Sequence, residues 1–311
     1  MSTTEIGIGG NRKHKDTLFR KIFGTEEHKK YLLSLYNAVN HSEYSNIEDL
    51  QLVTLDDVLF VSMKNDVAFL FDCKINLYEH QSTLNPNMPL RGFMYMAKLW
   101  QNWIQKQQKN IYTKKLVKIP TPQYTVFYNG TEETEDRYEL YLSDAFETVP
   151  KIGKYEWTAE VYNINIGKNK ELMSHCKALW EYANFVQMVR IYYKESGDET
   201  EAIKKALEKA IEGKYLDGYF EKEREEVFMT TLLEVKQDIY ENDLREEGRI
   251  EGRIEGEKKG RKEGRKEGRK EGRKEKEVEI MFAMYKNGIP MNQIASIVRM
   301  DIEEVRKLIG E

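Results

Sequence analysis

Between residues 50 and 81 the apolar side chains fall in short runs rather than at helical spacing, and this stretch constrains the fold more than any other. The runs cover residues 50–54, 58–61, 67–71 and 75–78, the later ones divided by Lys64-Asn65 and by Asp72-Cys73-Lys74. Short apolar runs bounded by turn residues read as a meander of antiparallel strands. On the N-terminal side Leu18, Phe19, Ile22, Phe23, Tyr31, Leu32, Leu35 and Tyr36 recur at three- and four-residue steps, interrupted by Gly24, which predicts two amphipathic helices. After Pro86 and Pro89 helical spacing returns over residues 90–109, strands resume at 123–128 and 158–166, and helices follow from Leu172 onward. That order predicts an α/β fold, a mixed sheet flanked by helices and followed by a helical C-terminal region.

Composition narrows the function classes. With 311 residues and 40% hydrophobic content the chain can bury a core, while a net charge of -4 excludes a uniformly basic nucleic-acid binder and leaves local patches open. Two cysteines, Cys73 and Cys176, and five scattered histidines supply neither a disulfide framework nor a zinc ligand set. No window approaches the ~18 apolar residues that a membrane span needs, and residues 1–11 lack the apolar run of a signal peptide, so the expectation is a cytoplasmic protein without a membrane partner.

Chemistry concentrates on one strand. The two-residue period of a strand puts Ile75, Leu77, Glu79 and Gln81 on one face, so a carboxylate and an amide extend an apolar row. A tight turn at Asp72-Cys73-Lys74 would fold the preceding strand back and bring Asp66 beside Glu79. Two converging carboxylates repel unless a cation lies between them, and hard oxygen ligands favour Mg2+ or Mn2+. Tyr78 and His80, on the opposite face, are expected to pack rather than react.

An acid followed after ten to twenty residues by acid-X-Lys on a strand is the signature of the PD-(D/E)XK nuclease superfamily, and Asp66 with Glu79-His80-Gln81 stands in those places. The run Glu79-His80-Gln81-Ser82-Thr83-Leu84-Asn85-Pro86-Asn87-Met88-Pro89-Leu90-Arg91, followed by Tyr95, resembles the recombination-promoting nuclease family of transposase-like proteins. Residues 16–24 resemble that family's opening helix and Val126-Phe127-Tyr128-Asn129-Gly130 a later core strand. The resemblance covers roughly residues 14–240 and implies a restriction-endonuclease-like fold and a Mg2+-dependent DNA endonuclease. By the same carry-over, Asp66, Glu79 and the backbone carbonyl of His80 hold the metal, Gln81 takes part in catalysis, and Asp16, Arg91 and Tyr95 stand around them. Gln81 departs from the superfamily's lysine: glutamine positions by hydrogen bonds and carries no charge, which shifts the chemistry onto the metal.

Beyond residue 240 the sequence changes character. Glycines at 248, 252, 256, 260, 264, 268 and 272 recur every four residues, and from Gly260 the unit is Gly-Arg-Lys-Glu. Residues 257–276 hold eleven Lys or Arg against five Glu. Glu263/Lys266, Glu267/Lys270 and Glu271/Lys274 favour helix by a few tenths of a kcal/mol each, glycine opposes it by ~1 kcal/mol per position, and the expectation is a flexible or marginally helical spacer. Residues 278–311 regain apolar spacing, with Gly288 between helical patterns, and read as a small helix-turn-helix-like tail. The expected organisation is a flexible N-terminus at 1–13, a nuclease-like domain at 14–240, a charged spacer at 241–277 and the tail at 278–311. Homo-oligomerisation through the C-terminal helices is one use for such a tail. The competing reading of the whole chain is a non-catalytic DNA-binding or scaffolding protein on a degenerate nuclease fold.

Overall fold

A computed structural model describes residues 17–53, 66–148 and 155–310. The expected N-terminal segment at 1–13, the expected strand at 58–61 and Asp16 lie outside these residues. The chain divides into two compact units, Met1–Asp238 and Ile239–Glu311.

The first unit opens with helices α1 (Leu18–Phe23) and α2 (Lys29–Asn40). Thr17 caps α1 by accepting a hydrogen bond from the Arg20 N–H at 3.2 Å, and α2 ends where His41 turns left-handed at φ 50°. Strands β1 (Gln51–Leu52), β2 (Val67–Phe71) and β3 (Lys74–Gln81) pair antiparallel in sequence. The β2–β3 turn needs positive φ at both central positions, and Asp72 (49°) and Cys73 (58°) adopt it. Helix α3 (Met88–Lys106) then carries the chain back across the sheet, so that β4 (Thr121–Tyr128) lies parallel to β3. Strands β5 (Arg137–Tyr141) and β6 (Thr158–Asn163) complete a six-stranded mixed sheet of order β1-β2-β3-β4-β6-β5.

Each face of the sheet has its own core. Val67, Phe69, Tyr78 and Phe127 pack with α1, α2 and the helices α5 (Lys177–Ser196) and α6 (Glu199–Glu212). Ala68, Ile75, Leu77, Tyr124 and Val126 pack on the other side with Met88, Tyr95, Met96 and Leu99 of α3. The approach of α3 is close: a Cβ on Gly92 would lie 2.1 Å from the Tyr124 ring. These layers bear out the mixed sheet flanked by helices. The edge strand β5 was not expected from the sequence, and β6 stops at Asn163 rather than reaching Ile166.

A long helix, numbered α8 with α4 (Lys170–His175) and α7 (Tyr219–Lys222) before it, spans Arg224–Lys286 and continues through the glycine repeat. The repeat glycines have no atom within 4 Å of a built Cβ, so nothing requires glycine there sterically. In the second unit the end of α8 packs with α9 (Met291–Val298) and α10 (Ile302–Ile309) around Met281, Ile294, Val305 and Ile309. Gly288 makes the first turn at φ +80°, and Asp301 caps α10 by accepting from the Glu303 N–H at 2.9 Å.

Candidate active site

The β2–β3 register pairs Val67 with Tyr78, and one step further sets Asp66 opposite Glu79. The juxtaposition expected from the sequence is therefore present, and two hydrogen bonds fix it. One Asp66 oxygen accepts from the His80 backbone N–H at 2.7 Å, and the other accepts from the Thr17 hydroxyl at 3.3 Å. Thr17 thus caps α1 and holds Asp66 at once. Asp16, which the resemblance places near the site, lies outside the described residues; its neighbour Thr17 donates to the Asp66 carboxylate.

Glu79 has a different environment. Its side chain is 3% exposed, and its Oε1 is buried without a hydrogen-bond partner. Leaving such an atom unpaired costs about 1–3 kcal/mol, more when charged, so this oxygen is available to an added partner such as an ion. Burial pushes the Glu79 carboxyl well above the usual carboxylate range, and the Asp66 charge pushes it further. Arg91 on α3 opposes both. Burial likewise raises Asp66 to about 6, against the pull of the His80 and Thr17 hydrogen bonds. Both rises come first from burial, and Arg91 opposes them at each carboxyl without reversing them, the kind of perturbation that gathers at functional sites.

The candidates on α3 converge on the same place. Burial disfavours the Arg91 cation, but Glu79 and a hydrogen bond to Tyr95 more than restore it. Tyr95 is buried, and its hydroxyl is held protonated by burial and by the Glu79 charge. Gln81 turns its amide toward the Met88 sulfur at the start of α3, with Arg91 Nη1 3.5 Å from that sulfur. On the opposite face the His80 ring stacks on Phe19 with centroids 5.3 Å apart and shares a 3.0 Å hydrogen bond with the Tyr182 hydroxyl. Burial lowers its pKa to about 4, so at neutral pH the ring is uncharged packing.

Other residues of the site come from distant parts of the chain. Tyr124 on β4 presents a buried, unpartnered hydroxyl on the Glu79 side of the sheet, and its phenol is raised by burial and by Glu79. From α8, Glu234 accepts the Leu18 backbone N–H at 2.8 Å, and Asp238 accepts the Ser82 hydroxyl at 2.8 Å. Burial raises Glu234 to about 8, with the Asp238 and Asp66 charges adding to the rise. Ser82 follows Gln81 directly, so α8 braces both the start of α1 and the end of β3. Nothing local in the sequence marks these contacts, which span separations of 216 and 156 residues.

Among the described residues no group of three or more His, Cys, Asp or Glu side chains is arranged to hold a metal ion. Asp66 and Glu79 are two hard oxygen donors, one with an unengaged buried oxygen, and that donor set fits Mg2+ or Mn2+ better than a softer ion. No described helix is long and apolar enough to cross a membrane.

Residues 13–141 match the model of a family described as PD-(D/E)XK nuclease family transposase. The matched segment contains Asp66, Glu79, Gln81, Arg91 and Tyr95 and supports a nuclease- or transposase-like function. It ends at β5, yet β6 lies between β4 and β5, so the sheet is completed by residues beyond it. No curated protein and no solved structure matches the chain.

Proposed function

We propose that this protein is a divalent-metal-dependent DNA endonuclease whose active site is built on Asp66 and Glu79. The observation that carries the reading is the buried, unpartnered Glu79 Oε1 set opposite Asp66, in a segment similar to PD-(D/E)XK nucleases. Asp66, Glu79 and the backbone carbonyl of His80 would hold Mg2+ or Mn2+, which when bound polarises the scissile phosphodiester and acidifies water. The protein's own part is to pre-organise. The His80 N–H and the Thr17 hydroxyl keep Asp66 in one orientation, so that little rearrangement accompanies the reaction. Arg91 supplies a fixed positive charge beside Glu79 for the phosphate, and Gln81 orients the attacking water without taking up its proton. A chain with glutamine at that position depends on the metal for acid–base chemistry, and slow turnover follows.

The non-catalytic reading draws on the same Gln81 and on there being, among the described residues, no third carboxylate grouped with Asp66 and Glu79 to hold a metal ion. Supercoiled plasmid separates the two. Wild type with Mg2+ is expected to nick or linearise it, whereas EDTA, Asp66→Ala and Glu79→Ala each stop the reaction. Equal cutting by wild type and both variants refutes the site. No cutting by any of them, with DNA retained in a gel shift, supports a binding protein. Single-stranded and duplex RNA in parallel reactions test the nucleic acid preferred.

A further inference from the structure

From His80 to Thr131 the chain contains no Asp or Glu, while it contains Arg91 and six lysines. In a protein of net charge -4 that places seven positive charges in one uninterrupted acid-free segment. The fold gives the segment a direction. Its first part, Gln81 to Arg91, lies at the proposed active site; α3 then runs along the sheet, and residues 107–120 form a loop at the opposite end, beside the β2–β3 turn. The Thr121 N–H donates to the Cys73 carbonyl at 3.1 Å, and Trp100 Nε1 donates to the Pro120 carbonyl at 3.0 Å, which anchors the C-terminal end of the loop. From the last residue of α3 to these anchors, Lys106, Lys109, Lys114, Lys115 and Lys118 are all exposed, and among the described residues none has a carboxylate partner. Tyr112, in their midst, is 92% exposed.

We propose that this lysine loop is a DNA-docking surface that grips backbone phosphates at a distance from the cut. The inference rests on the nuclease reading above for its partner, but its evidence is separate: an acid-free segment, unpaired exposed lysines and an exposed aromatic ring, joined to the site by a single helix. Unpaired lysines on an anchored loop suit phosphates, whose contacts position a duplex without reading its sequence. An exposed tyrosine adds an amphipathic ring and a hydroxyl that can donate to phosphate. Nineteen helical residues span ~28 Å, the rise of about eight base pairs of duplex. The loop would therefore hold DNA about eight base pairs to one side of the scissile bond.

The test is DNA binding by the full-length chain in EDTA, in an Asp66→Ala background, so that no cleavage intervenes. Fluorescence anisotropy with a 30-base-pair duplex is followed from 50 to 200 mM salt, with and without Lys114→Gln, Lys115→Gln and Lys118→Gln together. Three lost phosphate contacts are expected to flatten the slope of log K against log salt by about 2.7, so that wild type loses about 40-fold more affinity than the triple variant across this range. An unchanged thermal midpoint confirms that the exposed substitutions leave the fold intact. An unchanged slope overturns the docking surface and leaves the active-site reading to the plasmid assay. Retention of wild type on phosphatidylserine vesicles through these lysines, with no binding to DNA, also overturns it and assigns the loop to anionic membrane instead. A substrate with fewer than about eight base pairs beside the cut should be cleaved no better by wild type than by the triple variant.

Discussion

Replacing Glu79 with glutamine should make the metal-free protein more stable while abolishing its activity. Glu79 is 3% exposed with an orphaned oxygen, and its nearest charge of like sign is the paired Asp66. Glutamine keeps the shape and removes the charge; its amide stays buried and the attraction to Arg91 is lost, so the gain is the excess cost of desolvating a charge over a neutral group, about 1–3 kcal/mol. In a unit of this size each kcal/mol moves the melting midpoint by about 2–4 °C, so a rise of roughly 2–12 °C is expected at pH 7.5 in EDTA. The pH dependence has a definite sign. Because the folded-state pKa of Glu79 lies above its unfolded value, wild-type stability is greatest below about pH 4.5 and falls as pH rises through the raised folded value. The advantage of Glu79→Gln should therefore shrink as pH is lowered from 7.5 toward 4.5. Asp66, raised to about 6, contributes the same trend to both proteins between about pH 4 and 6. Saturating Mg2+ should raise the wild-type midpoint and leave the variant unmoved, since ligand at 100 times Kd adds about 2.7 kcal/mol. Scanning calorimetry with EDTA and with Mg2+ at several pH values measures all of this. A variant that melts below wild type in EDTA at pH 7.5, or whose gain does not change with pH, refutes the reasoning.

Thr17→Ala removes a helix cap and a hydrogen bond to Asp66 together, so urea unfolding should show a loss of about 1–2 kcal/mol and plasmid cleavage a lower kcat; Thr17→Ser should recover both. Gly92→Ala drives a methyl into the Tyr124 ring at 2.1 Å, and about 1–3 kcal/mol of lost stability by denaturant melting is expected where α3 meets the sheet. Alanine in place of Gly260, Gly264, Gly268 and Gly272 meets no neighbouring atom and should stabilise helix by ~1 kcal/mol per position, read as stronger circular dichroism at 222 nm with cleavage unchanged.

The fold was legible where periodicity was strong. Apolar spacing located α1, α2, α3, β2, β3 and β4, because each buries a continuous stripe or row against one of the two cores. The strand β5 escaped since it is a half-exposed edge, Arg137-Tyr138-Glu139-Leu140-Tyr141, in a surrounding stretch rich in acid. At the site, Asp66, Glu79 and Gln81 could be read because a two-residue turn and a two-residue period determine which side chains meet. Arg91 and Tyr95 came from the family resemblance, and their four-residue spacing on α3 puts them on one face. Thr17, Tyr124, Glu234 and Asp238 could not be read this way, because their places depend on which helix covers which end of the sheet. The repeat was balanced between helix and disorder on propensity alone; the structure carries α8 through it to Lys286.

The central claim is that Asp66 and Glu79 share a divalent cation. The most direct measurement is anomalous diffraction from crystals of the full-length protein soaked in Mn2+, beside crystals of Glu79→Gln treated identically. The account predicts a wild-type anomalous peak about 2.0–2.4 Å from oxygens of both Asp66 and Glu79, with the His80 carbonyl as a third protein ligand, and no such peak in the variant. Wild-type density that is empty between the two carboxylates at saturating Mn2+, or a peak that survives Glu79→Gln unchanged, would contradict it.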